Sequence, residues 1–220
     1  MGSESRRETG SGGPPADQRG ADARDRILAA LDHLRGVQEA GGDPSRPPPS
    51  ACQENELLRW AELTGLLLNP AEFIPHLIRG GQEHDLLSRG DRVVKVTRNG
   101  VFGLSPGIEL ALVSSADDAR RFHLWEATPM EYLERLRLQN LLVPGINQLE
   151  GVIAHNEGGG IAIVTSQPRF EIVAVRTVEI DLWFAHLGFQ KITDSAYYRA
   201  EDNLGVFDAH EKTSSVLATT

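Results

Sequence analysis

One lysine interrupts an apolar run, Val93-Val94-Lys95-Val96, and makes the clearest chemical demand in this chain. An ammonium on a buried strand needs a phosphate or carboxylate beside it, because an unpaired charge out of water is strongly unfavourable. Ahead of that strand, Gly80-Gly81-Gln82-Glu83-His84 supplies a glycine pair whose backbone can approach a ligand closely, although the same glycines also suit a plain hairpin. Near the far end, Val206-Phe207-Asp208-Ala209-His210 sets a carboxylate at the end of an apolar strand. There it can accept a proton from an attacking hydroxyl, or simply close an Asx turn.

These residues are positioned by a recognisable order of elements. Ile27, Leu28, Leu31, Leu34 and Val37 recur at helical spacing within residues 22 to 39, and Leu57, Leu58, Ala61 and Leu66 do so within residues 54 to 68, before Asn69-Pro70. Short strands follow at 77 to 79, 84 to 87 and 93 to 97, separated by the glycine pair and by Arg89-Gly90-Asp91, with another over 108 to 113. Thr128 as N-cap, Pro129 in the first turn, and Tyr132, Leu133, Leu136 and Leu141 on one face predict a helix over 129 to 142. Residues 152 to 154 and 161 to 164 form a hairpin about Glu157-Gly158-Gly159-Gly160. A helix over 176 to 187 closes at Gly188, and strands at 196 to 199 and 204 to 207 flank Glu201-Asp202-Asn203. This order suits an α+β fold, a twisted antiparallel sheet with one inserted helix.

Composition narrows the function classes. With 31 acidic against 22 basic side chains and a formal net charge of -9, the chain has no general affinity for nucleic acid or an anionic membrane, although a local basic pocket is allowed. No apolar run reaches the roughly 18 to 20 residues of a membrane span, and no signal pattern precedes residue 20. The single cysteine, Cys52, forms neither an intrachain disulfide nor a multi-cysteine zinc site, and a cytoplasmic location is expected. Residues 1 to 20 read as a disordered tail, 21 to 40 as an amphipathic helix, 41 to 50 as a Pro/Gly linker, and 51 to 70 as a helix packing on a domain spanning 71 to 220.

Two other patterns fail on their own chemistry. Gly103-Leu104-Ser105-Pro106-Gly107 matches the nucleophile elbow of serine hydrolases, but the residue after the serine must give a backbone N–H to the oxyanion hole and Pro106 has none. His84, His155 and His186 share no metal-binding helical spacing, and Gly158-Gly159-Gly160 precedes a strand rather than the helix N-terminus that attracts phosphate.

Taken in order, Gly80-Gly81, Lys95, the helix from Pro129, the hairpin ending at Thr165-Ser166-Gln167-Pro168, Leu187-Gly188-Phe189 and Asp208-Ala209-His210 resemble the protein-kinase-like fold over about residues 70 to 217. More narrowly, they resemble the kinase-like domain of bacterial polyvalent proteins, a relative of the aminoglycoside phosphotransferases. The resemblance implies a kinase-like N-lobe with an incomplete C-lobe, binding ATP and Mg2+ in an interlobe cleft for transfer of phosphate to a hydroxyl. Lys95 would meet the α/β-phosphates, steadied by Glu131 or else Glu134 from the helix. Gly80 and Gly81 would cover the phosphates, Thr165, Ser166 and Gln167 would offer backbone groups to adenine, and Asp208 would be the catalytic base.

The chain departs from that pattern where a metal-binding asparagine is expected after Asp208. Thr213 stands there, and a hydroxyl is a poor substitute for an amide carbonyl at magnesium. The second metal-binding aspartate of the family would fall beyond Thr220. Truncation, degeneration to a binder with weak or absent turnover, or completion by another chain each account for this. Apolar surface around Leu182, Trp183 and Phe189 is then expected to be exposed and open to a protein partner or self-association. The alternative function is a noncatalytic interaction module in which Lys95 pairs internally and no nucleotide enters.

Overall fold

A computed structural model describes residues 16–40, 49–110, 120–155, 159–170 and 175–209. The chain divides into two compact units, Met1–Gln167 and Pro168–Thr220. Both are mixed α+β.

The first unit begins with helix α1, Ala16–Ala40, so helix extends into the stretch read as tail; residues 1–15 and 41–48 lie outside the described residues. Of the apolar positions expected to be covered, Ile27, Leu31 and Leu34 are buried, while Leu28 reaches the surface and Val37 is half-buried. Helix α2, Ser50–Thr64, ends four residues earlier than the sequence suggested. Gly65 stops it in the left-handed conformation with φ 71°, and Leu66 N–H closes the end on Ala61 O at 2.8 Å. The chain released there forms β1, Leu67–Leu68, which pairs parallel with β7, Gln148–Ala154.

Strands β2, Ile78–Arg79, β3, His84–Arg89, and β4, Arg92–Thr97, form an antiparallel meander. With β8, Ile161–Pro168, they complete a six-stranded sheet in the order β1-β7-β8-β4-β3-β2. Arg92 meets Ser166 and Thr97 meets Ile163, so β4 and β8 run antiparallel. A separate ribbon pairs β5, Leu104–Leu110, with β6, Arg120–Glu126. Sequence reading did not anticipate β6. Gly103 to Gly107 therefore leads into and along a strand, with Pro106 opposite Leu124, and forms no strand-to-helix elbow.

Helix α3, Pro129–Leu142, starts where its cap residues direct. Thr128 Oγ1 accepts from Glu131 N–H at 3.4 Å, Thr128 N–H donates to Glu131 Oε2 at 2.8 Å, and Met130 N–H donates to Gln53 Oε1 of α2 at 3.0 Å. At its other end Asn140 is buried and exchanges two hydrogen bonds with the Asn147 backbone, at 2.8 and 2.9 Å, which fixes the entry into β7.

The period-2 alternation of β4 divides its side chains between two cores. Val94 and Val96 join Phe73, Ile153, Ala162 and Val164 on one face. On the other face Leu149, Val152, Ile161 and Ile163 pack with α1, α2 and α3 through Leu31, Leu57, Tyr132 and Leu133. Lys95 therefore points to the helical side, away from the Val94 core.

The second unit contains α4, Thr177–His186, followed by a three-stranded antiparallel sheet of β9, Gln190–Thr193, β10, Ala196–Arg199, and β11, Leu204–Val206. Phe184 stacks on Tyr197 with centroids 4.2 Å apart and meets Phe189 edge-on at 5.4 Å. Phe189, expected at the surface, is instead buried there, and the Arg199 guanidinium covers its ring at 4.6 Å. Leu182 and Trp183 are exposed as expected, 66% and 44% accessible.

Candidate functional site

Lys95 lies on β4 opposite Leu86 of β3, two pairs along from His84 opposite Thr97 and so on the same face. Those residues share the sheet face that α3 covers. Tyr132 of α3 reaches down to it, and its hydroxyl lies 3.0 Å from His84 Nε2. Arg135, one helical turn on, sets its guanidinium 5.1 Å from the Tyr132 ring centroid. Glu83, the residue before β3, closes the group: its Oε1 pairs with Arg135 Nη2 and lies 3.3 Å from His84 Nε2. Lys95, His84, Glu83, Tyr132 and Arg135 thus form one partly buried polar cluster.

Its electrostatics follow from two cations sharing one carboxylate. Burial lowers the Lys95 pKa from its ordinary value, Glu83 pulls it back up, and the nearby Arg135 lowers it further. His84 falls to about 3, through burial first and then the Lys95 and Arg135 charges, so it is a neutral ring near pH 7. Its approach to Glu83 is accordingly not an ion pair, and its Nε2 shares a hydrogen bond with the Tyr132 hydroxyl. Burial raises the Tyr132 pKa, partly offset by Thr165, so that hydroxyl stays protonated. Among the described residues, no carboxylate lies within 4 Å of Lys95 Nζ.

The α3 glutamates do not make the expected contact with Lys95. Glu131 is engaged by the cap of its own helix and also accepts from Trp125 Nε1 at 3.2 Å. Glu134 faces α1, holding Arg35 at 3.1 Å and Arg137 at 2.7 Å. Electrostatically, the acid that acts on Lys95 is Glu83. It stood within the Gly80-to-His84 stretch singled out in the sequence, and Tyr132 and Arg135, three apart on the buried side of α3, were the signal for the second cation.

Gly80 and Gly81 form the bend between β2 and β3. A Cβ at Gly80 would come within 2.5 Å of His84 O, so the hairpin itself requires that glycine, whereas Gly81 faces open space. Arg98 Nη2 donates to Gly81 O at 2.6 Å and ties the bend down. Thr165 and Ser166 are buried in β8. The Ser166 carbonyl is already taken by Arg92 Nη2 at 3.0 Å, and its hydroxyl accepts from Arg92 Nε at 2.9 Å while bonding to Glu150. Half-buried Gln167 ends the first unit.

Asp208 belongs to the second unit. It is exposed just beyond β11 and takes φ 61°, a left-handed conformation that aspartate tolerates better than most side chains. The next residue, Ala209, donates its N–H to Ser195 O at 3.0 Å. Thr213 lies outside the described residues. Among the described residues no group of three or more His, Cys, Asp or Glu side chains could hold a metal ion.

On the opposite sheet face a recess of about 180 Å³ lies over Val96 and Ile153, with the Asp85–Arg98 pair at its rim. Lys95 points away from it. No helix among the described residues is long and apolar enough to cross a membrane. Comparison with protein-family models, with curated proteins and with solved structures finds no match to this chain.

Proposed function

We propose that this protein binds ATP, with Lys95 as the cation that receives the phosphates, and that phosphoryl transfer to a hydroxyl is weak or absent. The observation that carries this reading is the state of Lys95. It is a partly buried ammonium on a central strand, on the face covered by α3, with no carboxylate within ion-pair distance among the described residues. A second cation, Arg135, lies close enough to depress it further, so the local field favours an anion although the chain as a whole is acidic. The kinase-like resemblance of the sequence then selects a nucleoside triphosphate among possible anions, with Gln167 offering backbone groups to the base.

Titration with Mg-ATP should raise the melting temperature of the unmodified chain. Ligand at a hundredfold excess over its dissociation constant contributes about 2.7 kcal/mol of stability. Lys95→Met should abolish the shift while leaving the apo protein folded, since methionine fills the same space without a charge to desolvate. A flat response of the unmodified chain would favour the interaction module, whose supporting observation is the exposed Val178, Leu182 and Trp183 surface of α4. Turnover is read separately, as phosphate release compared with Asp208→Asn.

A further inference from the structure

We propose that Lys95 and Arg135 form a two-cation subsite for the polyphosphate of the ligand, and that in the free protein the Glu83 carboxylate occupies the place of one phosphate group and must turn away on binding. This deepens the ATP-binding reading and rests on it.

Three observations converge on Glu83. Its carboxylate is the anion paired with Arg135, and it is the acid whose charge acts on Lys95, so one acid serves both cations. The space it fills exists because residue 103 is glycine: a Cβ there would lie 2.2 Å from Glu83 Oε2 and 2.9 Å from Arg135 Nη1. The backbone beneath it is fixed, since Arg98 N–H donates to Glu83 O at 3.1 Å and Arg98 Nη2 holds Gly81 O. Motion is therefore confined to the Glu83 side chain, which is 24% exposed and has a path to water.

Charge and geometry name the ligand class. A single carboxylate is a planar monoanion, whereas adjacent phosphates carry more charge and more acceptor oxygens, so a polyphosphate competes for two separated cations better than a monocarboxylate can. Arg135 does not depend on Glu83 for satisfaction. It also donates to Leu104 O at 3.3 Å and Phe102 O at 3.4 Å, which keeps the guanidinium aimed at the cluster when the carboxylate leaves. Binding is then weakened by the free energy of displacing Glu83, and removing that carboxylate releases the difference as affinity.

The test is calorimetric titration of sodium tripolyphosphate and of Mg-ATP into the full chain and into Glu83→Gln, Glu83→Ala, Arg135→Gln and Lys95→Met, each checked for folding by circular dichroism. Glu83→Gln should bind tripolyphosphate about tenfold more tightly than the unmodified chain, within the usual range of coupling between sites. Glu83→Ala, which removes the carboxylate and leaves Arg135 in place, should shift affinity the same way and decides the matter if Glu83→Gln does not fold. Arg135→Gln and Lys95→Met should lose binding. Equal or weaker binding by folded Glu83→Gln or Glu83→Ala, with the unmodified chain still binding Mg-ATP, would overturn the surrogate role of Glu83 alone. Absence of binding by every folded chain, to both ligands, would overturn the ATP-binding reading as well.

Discussion

Acidification from pH 7 to pH 3 should destabilise the first unit by roughly 4 kcal/mol through His84 alone, and His84→Gln should remove that contribution. The folded-state pKa of His84 is about 3 against an ordinary 6.5, because the ring is buried beside Lys95 and Arg135. A base whose pKa is lower in the folded state binds its proton preferentially when unfolded. Stability is therefore flat in this group above about pH 6.5, falls through the window from 6.5 to 3, and levels off below it. Carboxylates also titrate in acid, but they do so in both proteins, so the difference between the two pH profiles isolates the histidine. Glutamine retains a polar atom for the Tyr132 hydroxyl, which lies 3.0 Å from the ring nitrogen. Chemical denaturation at half-unit pH steps reads the effect, and superimposable profiles for the two proteins would show that His84 is not held neutral.

Phe184→Ala should cost about 3–5 kcal/mol, the range for emptying an aromatic from a packed core. Phe184 is the hub of the second unit, stacked on Tyr197, edge-on to Phe189, and 4.8 Å from the Trp183 ring. A unit of this size carries on the order of 3–8 kcal/mol of stability, so the substitution removes most or all of it. Hydrogen exchange should accordingly lose protection at β10 and β11, at Tyr197 and Leu204, while Leu133 and Ile163 of the first unit keep theirs. Undiminished protection across β10 and β11 would mean that the aromatic cluster does not hold this unit together.

Much of the arrangement was legible in the sequence because local chemistry and tertiary packing agree there. Thr128-Pro129 marks the start of α3, Gly188 follows the end of α4, and the apolar run around Lys95 placed it on a strand. Reading failed where a single residue outranked a pattern. Gly65 ends α2 before the apolar period runs out, which frees Leu67 and Leu68 to pair with β7 beside Gly151, where a Cβ would lie 2.2 Å from Leu66 O. The surface expected at Phe189 is buried because the chain turns back after α4, setting its ring against Phe184, while Arg199 of β10 covers it, contacts that local periodicity does not show.

The sequence singled out Lys95 and expected an α3 glutamate beside it, whereas the acid acting on it is Glu83. Two glutamates at i and i+3 of a helix look equivalent, yet Glu131 completes a capping box and Glu134 turns toward Arg35 and Arg137. The face that meets Lys95 instead carries Tyr132 and Arg135, and the balancing charge comes from Glu83 at the head of β3. Helix phase decides this, and phase is set by which side of α3 the Leu133–Leu136 core claims.

The chain has only three lysines, Lys95, Lys191 and Lys212, which makes a residue-resolved footprint the most direct measurement. Acylation with a water-soluble active ester at neutral pH, followed by peptide mass spectrometry, reads each amine separately. Lys191, ion-paired with Asp181 at 3.0 Å in the second unit, is the internal control. Mg-ATP at ten times its dissociation constant should slow modification of Lys95 about tenfold, in proportion to the free fraction, and leave Lys191 unchanged. Equal labelling of Lys95 with and without saturating Mg-ATP would contradict the assignment of this lysine to the phosphates.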